Sequence, residues 1–268
     1  MILHDLSPER LADAIEANTL AYYANFAALP GAVTHTDSLI RWYATGIKQD
    51  GLNGVLQAQL QPGHCDVAVA ELVAYFQERQ LPFQWHVGPS SQPADLGKYL
   101  LAHGVAHIED EPGMAAGLQH IDESMPFPAG LTIHPVQDVE MMREWIGVWL
   151  FPDGLDAMRA DYLAALAGLG FTSDRPLHHY VGRLDGNPVA CVALFYAEGV
   201  ASVQYVVTLS AFRRQGIGAA MTLMALREAR AQGYRVAVLT SSPFGYNVYH
   251  RLGFRPYITM STYGWEPN

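Results

Sequence analysis

A strand-like run, a glycine-containing loop and a helical stretch follow one another between residues 200 and 240, and this order constrains the fold more than any other feature. Val200–Thr208 is apolar and rich in β-branched residues, residues 216–231 show the apolar spacing of a helix, and Tyr234–Thr240 is again strand-like. A strand, a crossover helix and a second strand form a right-handed βαβ unit with parallel strands. The sequence therefore predicts a sheet with a parallel pair at its centre.

The loop of this unit has the composition of a phosphate-binding site. Gly216 and Gly218 stand at the start of the predicted helix, and Arg213 and Arg214 precede them. The N-terminus of a helix presents unpaired amides and a partial positive charge, which attract phosphate oxygens. Glycine lacks the Cβ atom that would hold a phosphate away from the backbone.

Two common phosphate-binding motifs do not fit this loop. A Walker loop needs lysine and then serine or threonine after its second glycine, but residues 219–220 are alanines. A dinucleotide-binding loop needs a third glycine, where Met221 stands, and an acidic residue at the end of the next strand, where Thr240 and Ser241 stand. The pattern that remains is [QR]xxGx[GA].

This pattern resembles the pyrophosphate loop of the GNAT N-acetyltransferase superfamily. Residues 249–254, YHRLGF, also resemble the phrase Y-x-x-x-G-F near the end of that family's fold, at the family's usual distance after the loop. The resemblance covers about residues 131–263 in the family's order of elements. It implies acetyl-CoA as the cosubstrate and a small-molecule or peptide amine as the acceptor.

The resemblance also implies which residues contact the coenzyme. The pantetheine arm would lie between the two parallel strands and pair with the backbone at the end of the first, and the pyrophosphate would lie on the loop and the first helical turn. The family often has an asparagine at the start of the last helix, where this chain has serines instead. The implied coenzyme-binding residues are Val206, Val207, Thr208, Arg213, Arg214, Gln215, Gly216, Ile217, Gly218, Ala219 and Ser242.

For catalysis, the resemblance implies that Tyr249 protonates the departing thiolate and that a glutamate or a water chain takes a proton from the amine. Val200–Thr208 contains no carboxylate, so the base stays open. The candidates in this half are Glu198, which directly precedes the strand, and Glu144, Asp161, His178 and His179. A neutral amine can attack the thioester directly, so Cys191 is not needed as a nucleophile.

No metal site is indicated. His178 and His179 are adjacent on a predicted strand, so their side chains point to opposite faces and cannot hold one ion together. The sequence also lacks the HExxH motif of zinc enzymes.

The first half of the chain is interpreted as a degenerate copy of the second. Residues 123–130 are rich in proline and predict a linker, which divides the chain into domains 1–128 and 129–268. When Gly104 is aligned with Gly253, both halves show an apolar helix, an apolar strand, a short helix and a final glycine. Leu100 then stands in the place of Tyr249. Valines 67 and 69 stand in the place of the loop glycines, although a gap of one or two residues would change that pairing.

The predicted fold class is α/β (α+β), with two GNAT-like domains. Each has a mixed, largely antiparallel twisted sheet flanked by helices, and the C-terminal domain contains the central βαβ unit. The length of 268 residues is more than one small domain needs.

Composition excludes several other classes. A net charge of −10 argues against nucleic acids and anionic membranes as partners. Two cysteines without CxxC spacing, no leader and no apolar run of about 20 residues predict a cytoplasmic protein without a membrane segment. The oligomeric state is not indicated. Two functions remain possible. The first is an N-acetyltransferase, and the second is a catalytically inactive sensor or scaffold that binds acyl-CoA, which the lack of an evident catalytic base favours.

Overall fold

A computed structural model describes residues 2–151 and 155–267. The chain forms two compact units, and neither is a continuous piece of sequence. The smaller unit takes Thr19–Pro112 and the C-terminal stretch from Ile258, and the larger unit takes the N-terminal stretch up to Asn18 and Gly113–Tyr257.

In the part of the first half that the structure describes, there are three α-helices and five strands. They are α1 (Pro8–Ala24), β1 (Val33–Thr36), β2 (Ile40–Ala44), β3 (Asn53–Ala58), α2 (Cys65–Glu78), β4 (Phe83–Val87), α3 (Leu96–Ala102) and β5 (Ala106–Gly117). In the smaller unit, β1, β2 and β3 form an antiparallel meander, and β3 pairs in parallel with β4. Helix α2 connects β3 to β4, so these three elements form a βαβ unit.

Among its described residues, the second half provides four α-helices and six strands. They are β6 (Leu131–Pro135), α4 (Val139–Trp149), α5 (Asp156–Leu169), β7 (Leu177–Leu184), β8 (Asn187–Ala197), β9 (Val200–Thr208), α6 (Ile217–Ala231), β10 (Val236–Thr240), α7 (Tyr246–Arg251) and β11 (Arg255–Trp265). In the larger unit, β6 to β9 form an antiparallel meander, and β9 pairs in parallel with β10. The predicted βαβ unit is confirmed.

The helices of the larger unit cover both faces of its sheet. Helix α4 packs on β7 and β8 on one face, and α6 packs on β8 and β9 on the other. Alanines and leucines of α6 are buried against alternate residues of the strands, among them Ala201 and Val203 of β9. This packing fixes the N-terminus of α6 beside the end of β9, which is the place where the sequence predicts a phosphate site.

Each unit receives its last antiparallel strand from the other half of the sequence. Residues 113–117 of β5 pair with β10 in the larger unit, and residues 261–265 of β11 pair with β4 in the smaller unit. Each compact unit therefore combines segments from both halves of the sequence, whereas the predicted division after residue 128 gives each domain one continuous segment. That division, into a degenerate GNAT-like domain of residues 1–128 and a GNAT acetyltransferase domain of residues 129–268, stays a prediction.

The predicted linker is an ordered segment on the surface of α6. The Glu123 carboxylate lies 2.9 Å from Arg227 Nε and 2.7 Å from Arg230 Nη2. These two arginines, Arg230 first, hold the pKa of Glu123 below its ordinary value. Farther along the segment, the Pro126 carbonyl oxygen and Pro128 lie beside Gly216.

Candidate functional site

The two parallel strands of the larger unit separate soon after they meet. Ala237 lies opposite Ala201 and Val238 lies opposite Ser202, and no later pair joins β10 to β9 in the part of the chain that the structure describes. Strand β9 continues to Thr208, while β10 continues to Thr240 in partnership with β5. The two strands therefore separate, and this leaves a gap beside Val206, Val207 and Thr208.

The N-terminus of α6 closes one end of this gap. Gly216 is the N-cap with φ 80° and ψ 0°, a left-handed conformation, and no side chain caps the helix. Arg214 is also left-handed, with φ 67°. The first amides of α6, from Ile217 to Ala219, are thus available to an anion, and left-handed turns beside a helix start favour such a concave group of amides.

A small side chain at position 218 would fit between α6 and the end of β9. A Cβ atom on Gly218 would lie 3.6 Å from Thr208 Oγ1 and 3.9 Å from Val206 Cγ1, which are ordinary contact distances. The protein itself therefore does not require glycine at this position. A phosphate group lying on the amide of Gly218 would require it.

The two loop arginines have different surroundings. Arg213 Nε donates a hydrogen bond of 3.0 Å to the Thr208 carbonyl, so this side chain ties the loop back to β9. Arg214 and Gln215 are exposed next to it. Arg213 therefore stabilises the conformation of the loop. Arg214 is the solvent-exposed cation next to the N-terminus of α6.

A β-bulge interrupts the pairing of β9 with β8 next to the gap. Gln204 pairs with Ala193 and Val207 pairs with Cys191, so two residues, Tyr205 and Val206, lie opposite the single residue Val192. Tyr205 has φ 52°, an unusual value for a tyrosine.

Two buried side chains hold this bulge. Trp145 Nε1 donates to the Val192 carbonyl at 3.1 Å, and the Cys191 thiol donates to the Tyr205 carbonyl at 3.5 Å. Burial raises the pKa of Cys191, so the sulfur stays protonated and is a poor nucleophile. Tyr205 itself packs edge-on against Trp145 and Trp149, on the face of the sheet that α4 covers. No local sequence pattern marks the bulge, because it is defined only by the register of β9 with β8.

Tyr249 lies in α7, which follows β10. Its half-buried ring packs against the core of the larger unit, including Phe254 with ring centroids 6.0 Å apart. Ser242 is exposed at the turn before α7, and its hydroxyl accepts a 3.4 Å hydrogen bond from the Gly245 amide. Tyr249 and Ser242 thus stand on the β10 side of the gap, and the loop and bulge stand on the β9 side.

Glu198 does not join this group. It is exposed in the tight turn between β8 and β9, with φ 53°, and seven residues separate it from Tyr205. That separation corresponds to roughly 20 Å of extended strand. A direct role for Glu198 as the base is not supported by this position, and its assignment stays an untested prediction.

The other candidate bases differ in their hydrogen bonds, ion pairs and burial. Glu144 forms an ion pair with Arg183, and His178 Nε2 lies 2.7 Å from the Arg175 carbonyl. His179 is buried against Trp145, on the other face from His178, which packs on Tyr196. Burial, and then the neighbouring His178, lowers the pKa of His179 to about 3, which makes it a weak proton acceptor at neutral pH. The remaining candidate, Asp161, is half-buried in α5.

The corresponding gap in the smaller unit is filled by its own chain. Strands β3 and β4 pair only at Gly54 with Gln84 and Val55 with Trp85 among the described residues. Beyond that point, the Gln92 amide donates to the Ala58 carbonyl at 2.8 Å, and the Leu60 amide donates to the Gln92 carbonyl at 3.0 Å. Residues 90–92 therefore occupy the edge of β3 that corresponds to the open edge of β9.

The helix that follows β3 also lacks the features of α6. Helix α2 begins at Cys65, with His64 as its N-cap and Asp66 in its first turn. Counted from the two helix starts, Asp66 and not Val69 stands in the place of Gly218, so the alignment needs a gap of about three residues. A carboxylate at a helix start repels a phosphate.

Within residues 2–151 and 155–267, no group of three or more histidine, cysteine, aspartate or glutamate side chains could hold a metal ion. None of the helices described is both long enough and apolar enough to cross a membrane.

Known proteins resemble this chain in sequence over one region and in fold throughout. Residues 139–254 match the acetyltransferase (GNAT) family. A GCN5-related N-acetyltransferase from Kribbella flavida has a TM-score of 0.71 and 22% identity, over 95% of this chain and 96% of that one. A tandem GNAT protein from the clavulanic acid biosynthesis pathway has a TM-score of 0.61 and 15% identity, over 99% and 98%. No curated protein sequence matches the chain. The predicted fold class, with two GNAT-like domains, is confirmed.

Proposed function

Because residues 139–254 form a domain of the GNAT acetyltransferase family, we propose that this protein transfers an acetyl group from acetyl-CoA to a primary amine. One observation carries the proposal: an open gap between β9 and β10 lies beside an uncapped helix start with glycines at 216 and 218. The extended pantetheine arm of acetyl-CoA would fit the gap, and the negatively charged pyrophosphate at its end would bind the helix start.

We assign the coenzyme contacts as follows. The pantetheine arm pairs with the backbone of Val206, Val207 and Thr208, whose side toward β10 is left open by the separation of the strands. The pyrophosphate lies on the amides of Ile217 to Ala219, with Arg214 as the nearest exposed cation. The Ser242 hydroxyl, at the opposite side of the gap, remains the proposed replacement for the family's asparagine.

The reaction proceeds by direct attack in a ternary complex. The amine nitrogen forms a bond to the thioester carbonyl carbon, and the carbonyl oxygen becomes an oxyanion that a backbone amide at the end of β9 stabilises. The carbon–sulfur bond then breaks, and the thiolate takes a proton from the Tyr249 hydroxyl. We assign the proton of the amine to water, because Glu198 lies at the far end of β9, Glu144 is paired with Arg183 and His179 is too weakly basic.

The acceptor is a small-molecule or peptide amine. An acidic chain with a net charge of −10 attracts cationic amines more than anionic ones. Both cysteines are buried and free, which suits the reducing cytoplasm where we place the protein.

A sensor or scaffold that binds acyl-CoA without turnover is the second candidate. The observation that favours it is the absence of a carboxylate in Val200–Thr208. An assay of free thiol release from acetyl-CoA against a panel of primary amines separates the two functions. Release that depends on an amine supports the enzyme, and coenzyme binding without release for any amine supports the sensor.

A further inference from the structure

Gly245 lies at the start of α7, one helical turn before Tyr249, and the Tyr249 ring occupies the space that a side chain at position 245 would need. A Cβ atom on Gly245 would lie 2.6 Å from Cε2, 3.2 Å from Cζ and 3.3 Å from Cδ2 of Tyr249. Distances below 3.0 Å do not occur for real Cβ atoms. Any residue other than glycine would therefore displace the ring.

The backbone gives no other reason for glycine at this position. Gly245 has φ −82° and ψ −26°, a right-handed conformation that every residue adopts. Its amide donates to the Ser242 carbonyl at 3.1 Å, and its carbonyl accepts from the Tyr249 amide at 3.1 Å, bonds that alanine would also make. Gly216 and Gly253 differ, because their φ values of 80° and 102° favour glycine directly.

We propose that Gly245 is a positioning residue that sets the place of the Tyr249 hydroxyl relative to the departing thiolate. This inference rests on the proposed role of Tyr249 as the proton donor. The atom that carries the hydroxyl, Cζ, is among the ring atoms in close contact with position 245. Restoring a normal contact with a methyl group moves the ring by about 1 Å. A displacement of that size at a reacting group can reduce the rate by about a hundredfold.

The variant Gly245→Ala tests the proposal. We expect kcat to fall by about ten- to a hundredfold, while the dissociation constant of acetyl-CoA, measured by calorimetry, changes by less than about threefold. Gly63→Ala is the matched control, because Gly63 is exposed and a Cβ there would have no atom within 4 Å. A normal kcat for Gly245→Ala would overturn the proposal, and so would a variant that does not fold, since position 245 would then support the helix.

A double-mutant cycle separates this inference from the proposed function. If Gly245 acts through the hydroxyl, Gly245→Ala lowers kcat by less than about twofold when Tyr249 is already phenylalanine. An equal loss with and without the hydroxyl would show a general structural effect and overturn the proposal. If Tyr249→Phe alone keeps normal turnover, the role of Tyr249 as the acid fails. If kcat is reduced in Tyr249→Phe but normal in Gly245→Ala, only the positioning inference fails.

Discussion

Tyr249 is the residue whose proposed role depends on a single atom. Replacement by phenylalanine keeps the ring and its packing on Phe254 but removes the proton donor. We expect kcat of Tyr249→Phe to fall by about 10²- to 10⁴-fold, the usual contribution of a positioned general acid, with little change in coenzyme affinity. Steady-state kinetics and calorimetry on both proteins measure these values. A fall of less than about threefold would remove Tyr249 from the mechanism and leave water as the donor.

Two buried histidines make stability depend on pH. Burial lowers the pKa of His179, and separately that of His86, from 6.5 to about 3. Between these values the unfolded chain binds more protons than the folded chain, so stability falls as the pH decreases from about 6.5 toward 3. Each histidine contributes a slope of about 1.4 kcal/mol per pH unit in that window.

The variant His179→Leu tests this expectation. Urea unfolding at pH 7, 6 and 5 should show a smaller loss of stability in the variant than in the original protein. Replacement of the exposed His134 by glutamine is the control and should leave the pH slope unchanged. A slope that stays the same in His179→Leu would mean that this side chain does not remain neutral in the folded protein.

At the scale of elements, apolar runs bounded by turn residues could be predicted closely. β9 has the predicted bounds, and the predicted helix of residues 216–231 differs from α6 by one residue. β5 was not predicted, because its first half carries Glu109, Asp110 and Glu111 and ends at Pro112. Its pairing with β10 and its buried second half stabilise a strand that local propensity disfavours.

The loop and α6 allow a test of the phosphate site. Gly218→Ala should fold normally, because its Cβ would meet only ordinary contacts. Gly218→Asp places a carboxylate at the helix start, where it competes with the pyrophosphate. We expect acetyl-CoA affinity to fall in Gly218→Ala and to be lost in Gly218→Asp, as measured by calorimetry with melting curves as the folding control. Unchanged affinity in a folded Gly218→Asp protein would show that the phosphate site lies elsewhere.

At the scale of the whole molecule, the sequence predicted two related halves but not the exchange of their last strands. Similar order of helices and strands in both halves is visible in the sequence, since it depends on local periodicity. The partner of a strand depends on contacts far apart in sequence, such as Val236 with Gly117, and no local pattern encodes them. The same limit applies to the site: the loop and Tyr249 were visible in the sequence, whereas the bulge and Gly245 became visible only in three dimensions.

The two units also predict how many coenzyme molecules one chain binds. In the larger unit, the edge of β9 is open beside the uncapped N-terminus of α6. In the smaller unit, residues 90–92 pair with the edge of β3, and Asp66 lies in the first turn of α2. We therefore expect one acetyl-CoA per chain in a calorimetric titration, with heat abolished by Gly218→Asp. Asp66→Gly is the matched variant in the smaller unit and should leave the stoichiometry at one, because the chain still fills the gap there. Two equivalent sites, or a residual site in Gly218→Asp that binds more tightly when Asp66 is also replaced by glycine, would show that the smaller unit binds the coenzyme after all.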